Sequence, residues 1–274
     1  MMMTYLGDIS LKKEIIKSDT NFKSRVKKFS IANELIYYSN PSFYNYATKQ
    51  KRLDVITLLC RRFFVDEHET LSITKQICNN NFGISENSVT SIINTLDAKK
   101  SISISRNNRD RRELIIEPTD KGLAEMFLFF IRASHSESNV CVSREDISHH
   151  NELYKFIINF SSHLILGYSI TAFVPLSKTF LDNAGGRIIM FHLYNEIRDY
   201  NFGMYKTHCT HASLWSTLKI SRTQINRILV SAKKNKLLSI DHVGHISLSN
   251  TFIHLIEDYY AVLITLYKDK IIES

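Results

Sequence analysis

Glycine and proline are scarce in this chain, eight and three among 274 residues. That leaves little material for the repeated tight turns of a β-sandwich or propeller, and no Gly-rich phosphate loop is present. Four cysteines among 274 residues exclude a disulfide-knot class, and at 60, 78, 141 and 209 they are too far apart for any CxxC pair. The opening Met1-Met2-Met3-Thr4-Tyr5 lacks the basic and apolar regions of a signal peptide, so with this cysteine usage the expected compartment is a reducing cytoplasm. There is no HExxH, GxSxG or Walker-type lysine loop. The expectation is a protein that is not an enzyme and needs no cofactor. His149-His150 and His208-Cys209-Thr210-His211 come nearest to metal ligands, but neither has a partner pair at four-ligand spacing, so no metal is expected.

Charge is missing over one stretch. Phe156 to Ser177 carries no Asp, Glu, Lys or Arg and is long enough to cross a hydrocarbon core of about 30 Å. It also contains Asn159, Ser161, Ser162, His163, Ser169, Thr171 and Pro175, which are costly in lipid. A buried helix, with no membrane partner, is the expectation.

What is there fits a globular chain: 44% apolar and 23% charged residues. Lys and Arg number 35 against 27 Asp and Glu, a net +8 that falls on both halves, +5 before residue 138 and +3 after it. Such a surplus makes a polyanion a candidate partner through long-range attraction.

Apolar spacing predicts helices over Arg25 to Tyr38 and Arg52 to Phe64. Leu71 to Cys78 reads as a short helix stopped by Asn79-Asn80-Asn81-Phe82-Gly83, and Ser85 as the N-cap of a second helix carrying Val89, Ile92, Ile93 and Leu96. Ser101 to Ser105 and Leu114-Ile115-Ile116 read as strands joined by a basic tip, and an apolar helix resumes from Thr119 through Leu123, Met126, Phe127, Phe130 and Ile131. A boundary between two domains, 1–138 and 139–274, is placed in the polar stretch that follows.

A shift of 136 positions lays Ile84-Ser85 on Ile220-Ser221, Val89 on Ile225, Ile92 on Ile228, Ile93 on Leu229 and Ser103-Ile104 on Ser239-Ile240. With six residues removed from the second hairpin, Ile116 to Thr119 meets Ile246 to Ser249. Upstream, Ile188 to Tyr200 parallels Arg52 to Phe64, and His211 to Lys219 supplies the short first helix of the second pair. The fold class expected is therefore mainly α with small β wings: two tandem winged helix-turn-helix domains.

Such a unit suits duplex DNA, its second helix in the major groove and its wing on the neighbouring backbone or minor groove. In the first copy the candidate contacts are Ser85, Asn87, Ser88, Thr90, Ser91 and Asn94; in the second they are Arg222, Thr223, Gln224, Asn226 and Arg227, with Lys233, Lys234 and Lys236 behind them. Asn reads adenine and Arg reads guanine, while lysines hold phosphates. Glu86 aligns with Arg222, so the two half-sites should differ. In the first wing Arg109, Arg111 and Arg112 surround Asp110, which can orient an arginine toward a narrow minor groove. The second hairpin, Asp241 to His245, has no Lys or Arg. Each of these residues could equally belong to an ordinary solvated surface.

The segment Ile73 to Met126 resembles the MarR family of bacterial regulators, through Ser85-Glu86-Asn87-Ser88-Val89-Thr90, Leu96-Asp97-Ala98-Lys99-Lys100, Asp110-Arg111-Arg112 and Glu117-Pro118-Thr119-Asp120-Lys121-Gly122. The resemblance implies that Arg111 enters the minor groove, Asp110 orients it and Thr119 starts the helix after the wing. Lys100 and Ser101 stand where the family has Gly and Leu. A doubled chain is similar to the two-domain staphylococcal accessory regulators. This implies a pseudo-dimer in one chain with helical dimerisation-like elements, acting as a monomer or as a homodimer. The helix around Phe156 to Leu166 would then start the second unit, packing on Phe127 to Ile131 and on the helix from Ile253 to Tyr267.

The expected function is sequence-specific recognition of double-stranded DNA by a transcription regulator. A plasmid replication initiator and a winged-helix protein-interaction module are the alternatives. Phe43-Tyr44-Asn45-Tyr46 could line a pocket for a small aromatic effector or pack in the core, and Cys60 and Cys78 read as buried thiols more than as redox sensors.

Overall fold

The computed structural model describes residues 2–64, 71–106, 114–134 and 148–268. Fourteen helices and six strands follow in chain order among the described residues. They are α1 (Met2–Lys17), α2 (Phe22–Ser39), α3 (Pro41–Ala47), α4 (Gln50–Phe64), α5 (Leu71–Phe82), α6 (Glu86–Ala98), β1 (Ile102–Arg106), β2 (Leu114–Pro118), α7 (Asp120–Ser134) and α8 (Ser148–Ile165). Then come α9 (Ile170–Phe173), α10 (Lys178–Leu181), α11 (Gly186–Asn195), β3 (Ile197–Asn201), β4 (Met204–Thr210), α12 (His211–Leu218), α13 (Arg222–Lys234), β5 (Leu238–Ile240), β6 (His245–Leu248) and α14 (Asn250–Lys268). The protein is thus mainly helical with two small antiparallel sheets. Among the described residues no helix is long and apolar enough to cross a membrane.

Compactness does not follow chain order. One unit takes the described residues up to 50 together with 170–266; the other takes 51–134, 148–169 and the end of α14. This differs from the cut expected at 138, because α2 packs through Phe29 on α11 and α14, and α1 is tied to α14 by ion pairs. Likewise α8, expected to open the second unit, belongs to the same unit as α4 to α7.

In the unit holding α13, Phe29 of α2 meets Phe191 of α11 edge-on at 5.4 Å and Tyr260 of α14 at 5.0 Å. Lys17 bridges to Asp258 at 2.6 Å, tying α1 to α14. Lys27 Nζ donates to the Asn195 carbonyl at 2.8 Å, satisfying a carbonyl that α11 leaves unpaired at its end. Glu34 accepts from Asn195 Nδ2 and pairs with His192 Nδ1, both at 2.6 Å. Burial opposes the His192 charge, but its hydrogen bonds to Cys209 and Glu34 outweigh that and raise its pKa to about 10. Phe43 and Tyr44 are core residues, packed edge-on against each other at 5.2 Å.

The four-stranded sheet runs β3-β4-β6-β5. Its β3–β4 hairpin corrects one expectation: the helix read over Ile188 to Tyr200 stops at Asn195, and residues 197–201 form a strand. Phe202 and Gly203 take φ +49° and +77° between the paired Asn201 and Met204. Positive φ at both loop positions is the turn geometry that matches strand twist.

In the other unit, Phe156 of α8 packs on Phe130 of α7 at 5.0 Å and stacks on Tyr267 at 5.5 Å, as the expected neighbours of this helix. Asn81 Nδ2 donates to the Leu164 and Ile165 carbonyls at the end of α8. Helix α5 runs on through Asn79-Asn80-Asn81 to Phe82, past the stop expected after Cys78. Burial pushes the Cys60 thiol up, and burial with the Asp54 charge pushes Cys78 up to about 12. Both are inert core residues at neutral pH.

The internal repeat extends to individual hydrogen bonds. Gly83 and Lys219, 136 positions apart, end the first helix of each pair in left-handed conformation, at φ +59° and +53°. Ser85 and Ser221 then cap the second helices by accepting from Ser88 N and Gln224 N. At the exits, Ser101 N donates to Leu96 O and Leu237 N to Ala232 O, both at 2.9 Å. After the hairpins, Thr119 Oγ1 donates to Lys100 O and accepts from Gly122 N; Ser249 Oγ donates to Lys236 O and accepts from Phe252 N.

Candidate nucleic-acid interface

Helix α6 buries Val89, Ile92, Ile93 and Leu96 and turns its other side outward. Asn87, Ser91 and Asn94, spaced four and three residues apart, form one exposed stripe of short hydrogen-bonding side chains. Ser85 and Ser88 are exposed too, with their hydroxyls 2.9 Å apart. Two members of the predicted set are engaged locally: Ser85 is the N-cap, and the half-buried Thr90 donates to the Glu86 carbonyl at 3.0 Å. Removing the Ser85 cap costs about 1 kcal/mol of stability, so this residue serves the fold whatever else it touches.

Helix α13 repeats the arrangement with cations. Ile225, Ile228, Leu229 and Ala232 are buried, while Arg222, Thr223, Asn226, Arg227, Lys233 and Lys234 are exposed. Gln224 is half-buried, with its Oε1 3.1 Å from Ser221 Oγ, so it belongs to the cap. Among the described residues nothing walls in the polar side of either second helix.

The hairpins differ. Strands β1 and β2 pair from Ile102↔Pro118 to Arg106↔Leu114. The tip that carries Arg109, Asp110, Arg111 and Arg112 lies outside the described residues. In the second hairpin the Asp241 carboxylate accepts from the backbone N–H groups of Val243 and His245, each at 2.9 Å. Those bonds, His245 first, hold its pKa below the usual range. An ionised, acceptor-only group at this turn disfavours a phosphate.

Two residues of the α12–α13 surface escaped the sequence reading. Val230 is 60% exposed, three residues after Arg227 on the polar side of α13, where an apolar group can meet a thymine methyl. Its signal was an apolar residue off the helical period of the core. Trp215 of α12 is 42% exposed, and the Arg222 guanidinium lies 4.2 Å from its ring centroid. Seven positions apart on two helices, that pair has no sequence signature.

Among the described residues no three His, Cys, Asp or Glu side chains gather as a metal site. Cys209 of the His-Cys-Thr-His run instead bonds His192. No protein-family model, curated protein or solved structure matches this chain.

Proposed function

We propose that this protein is a sequence-specific, double-stranded DNA-binding regulator of MarR-like type, built from two winged helix-turn-helix units in one chain. It acts by binding and not by catalysis. In this reading α6 and α13 are recognition helices, and each reads one half-site from the major groove. The hairpins are wings, and the arginines at 109, 111 and 112 reach the minor groove.

The observation that carries the reading is α13: it keeps four apolar residues in the core and turns Arg222, Thr223, Asn226, Arg227, Lys233 and Lys234 to solvent. A solvated helix of a stable protein mixes both signs for solubility. This one has no acid between Arg222 and Lys234, as a polyanion-binding surface requires. The hydrogen-bond repeat supports a second such unit around α6, whose stripe is neutral and can read bases but adds little affinity.

The test is selection of bound duplexes from a random pool, followed by titration at increasing salt. Enrichment of a site with two unlike halves, with affinity falling steeply as salt rises, is the expected result. No enrichment, or binding indifferent to salt, overturns the reading.

A further inference from the structure

Arg222 is the first residue of α13, and helical side chains lean toward the N-terminus. That lean carries its guanidinium back over α12, onto the indole of Trp215. Helix stability disfavours a cation here, because the N-terminus carries the positive end of the helix dipole. The first copy has Glu86 at the equivalent position, the sign the dipole favours. The chain's single tryptophan is also left 42% exposed instead of fully buried in the core. Two choices that folding does not favour one by one therefore meet at one point, offset in part by the cation–π contact between them.

We propose that Trp215 is a positioning residue that holds Arg222 ready to read a guanine, so that this pair sets the base preference of the α12–α13 unit. The inference rests on the DNA-binding reading above. The guanidinium carbon lies 4.2 Å from the Trp215 ring centroid; a guanidinium seated on an aromatic ring can still offer its in-plane N–H fork for paired hydrogen bonds to guanine O6 and N7. A fork held this way also fits a phosphate, and the two contacts differ in their readout: a guanine contact is lost at one base pair, a phosphate contact across all sequences alike. The first unit has Glu86 for the arginine and Asn79 for the tryptophan, so the guanine preference belongs to one half-site only.

The experiment selects duplexes from a pool randomised over about 25 base pairs, long enough for two half-sites. Each base pair of the enriched sequence is then replaced in turn. Binding is measured for the wild type, Arg222→Ala, Trp215→Ala, Trp215→Leu, Trp215→Phe and the Trp215→Ala/Arg222→Ala pair. Arg222→Ala, Trp215→Ala and Trp215→Leu should each lose preference for guanine at the same single position by at least about five-fold. The double variant should lose no more, and Trp215→Phe, which keeps an aromatic face, should retain it. Affinity of Trp215→Leu for an unselected duplex at low salt should stay within about two-fold of wild type. Should Trp215→Leu weaken every sequence alike, or keep the guanine preference, the positioning role is refuted while DNA binding stands. Should the wild type enrich no duplex, both fall together.

Discussion

Lys100 and Lys236, 136 residues apart, share a left-handed backbone, φ +58° and +56°, at the exits of α6 and α13. In each copy the residue after the lysine returns its N–H to the helix, and the lysine carbonyl accepts the hydroxyl that opens the next helix. The MarR-like pattern has glycine at the first of these positions, and the backbone explains why. A side chain at positive φ costs about 1–2 kcal/mol, of which glycine's extra unfolded freedom takes back about 0.5–1. Lys100→Gly and Lys236→Gly should therefore each stabilise the protein by about 0.5–1 kcal/mol, seen as a higher urea midpoint with unchanged slope. A lower midpoint for either would mean the lysine side chain contributes more than its conformation costs.

Gly122 requires its missing side chain for a different reason. A Cβ there would sit 1.8 Å from the Ser101 carbonyl oxygen, a backbone atom with no room to retreat. Gly122→Ala should cost about 2–3 kcal/mol as α7 is forced off β1. Gly83, by contrast, has open space around it and only its φ of +59° to lose, so Gly83→Ala should cost about 1 kcal/mol. Melting of both variants checks the order; a Gly122→Ala loss no larger than that of Gly83→Ala would show that the backbone at Ser101 gives way to the new methyl.

Local chemistry explains which elements could be read from the sequence. Helix α6 was legible because Val89, Ile92, Ile93 and Leu96 keep a helical period and Ser85 is a strong cap. The second copy became legible through the same period, shifted. Strand β3 was hidden because Ile197 to Tyr200 continues a helix-like run from α11, which ends at Asn195 with no glycine or proline to mark the stop, and because in the hairpin turn at Phe202-Gly203 Phe supplies a positive φ that glycine or asparagine normally provides. The grouping of α1 to α3 with α11 and α14 rests on pairs such as Phe29–Phe191 and Lys17–Asp258. Contacts between residues some 160 to 240 positions apart leave no local pattern.

His192 and Glu34 should give stability a pH dependence of known sign. Burial opposes the His192 charge, but hydrogen bonds to Cys209 and then Glu34 raise its pKa from 6.5 to about 10, so its contribution is complete below 6.5 and is lost as pH climbs through 10. Burial opposes the Glu34 charge, but hydrogen bonds from His192 and Asn195 bring its pKa below 4.5, so its contribution is present above 4.5 and fades as pH falls further. The pair therefore acts fully between about 4.5 and 6.5. Glu34→Gln should cost about 2–3 kcal/mol in that window and progressively less toward pH 10. A cost that is constant with pH would show that shape matters at this position and charge does not.

The charge reversal between Glu86 and Arg222 can be tested from the first copy. If α6 lies in a groove between phosphates, Glu86 at its first turn repels them, and the helix has no Lys or Arg to offset it. Glu86→Arg should then raise affinity for any duplex by about three- to ten-fold at moderate salt and steepen the logarithmic salt slope by about one to two. The substitution loses the favourable meeting of an acid with the helix dipole, so stability should fall by about 0.5 kcal/mol while binding improves. That opposition separates the two effects: a change designed against the helix can strengthen binding only if α6 faces the polyanion. An unchanged salt slope in the Glu86→Arg protein would remove α6 from the interface and leave α13 as its sole recognition helix.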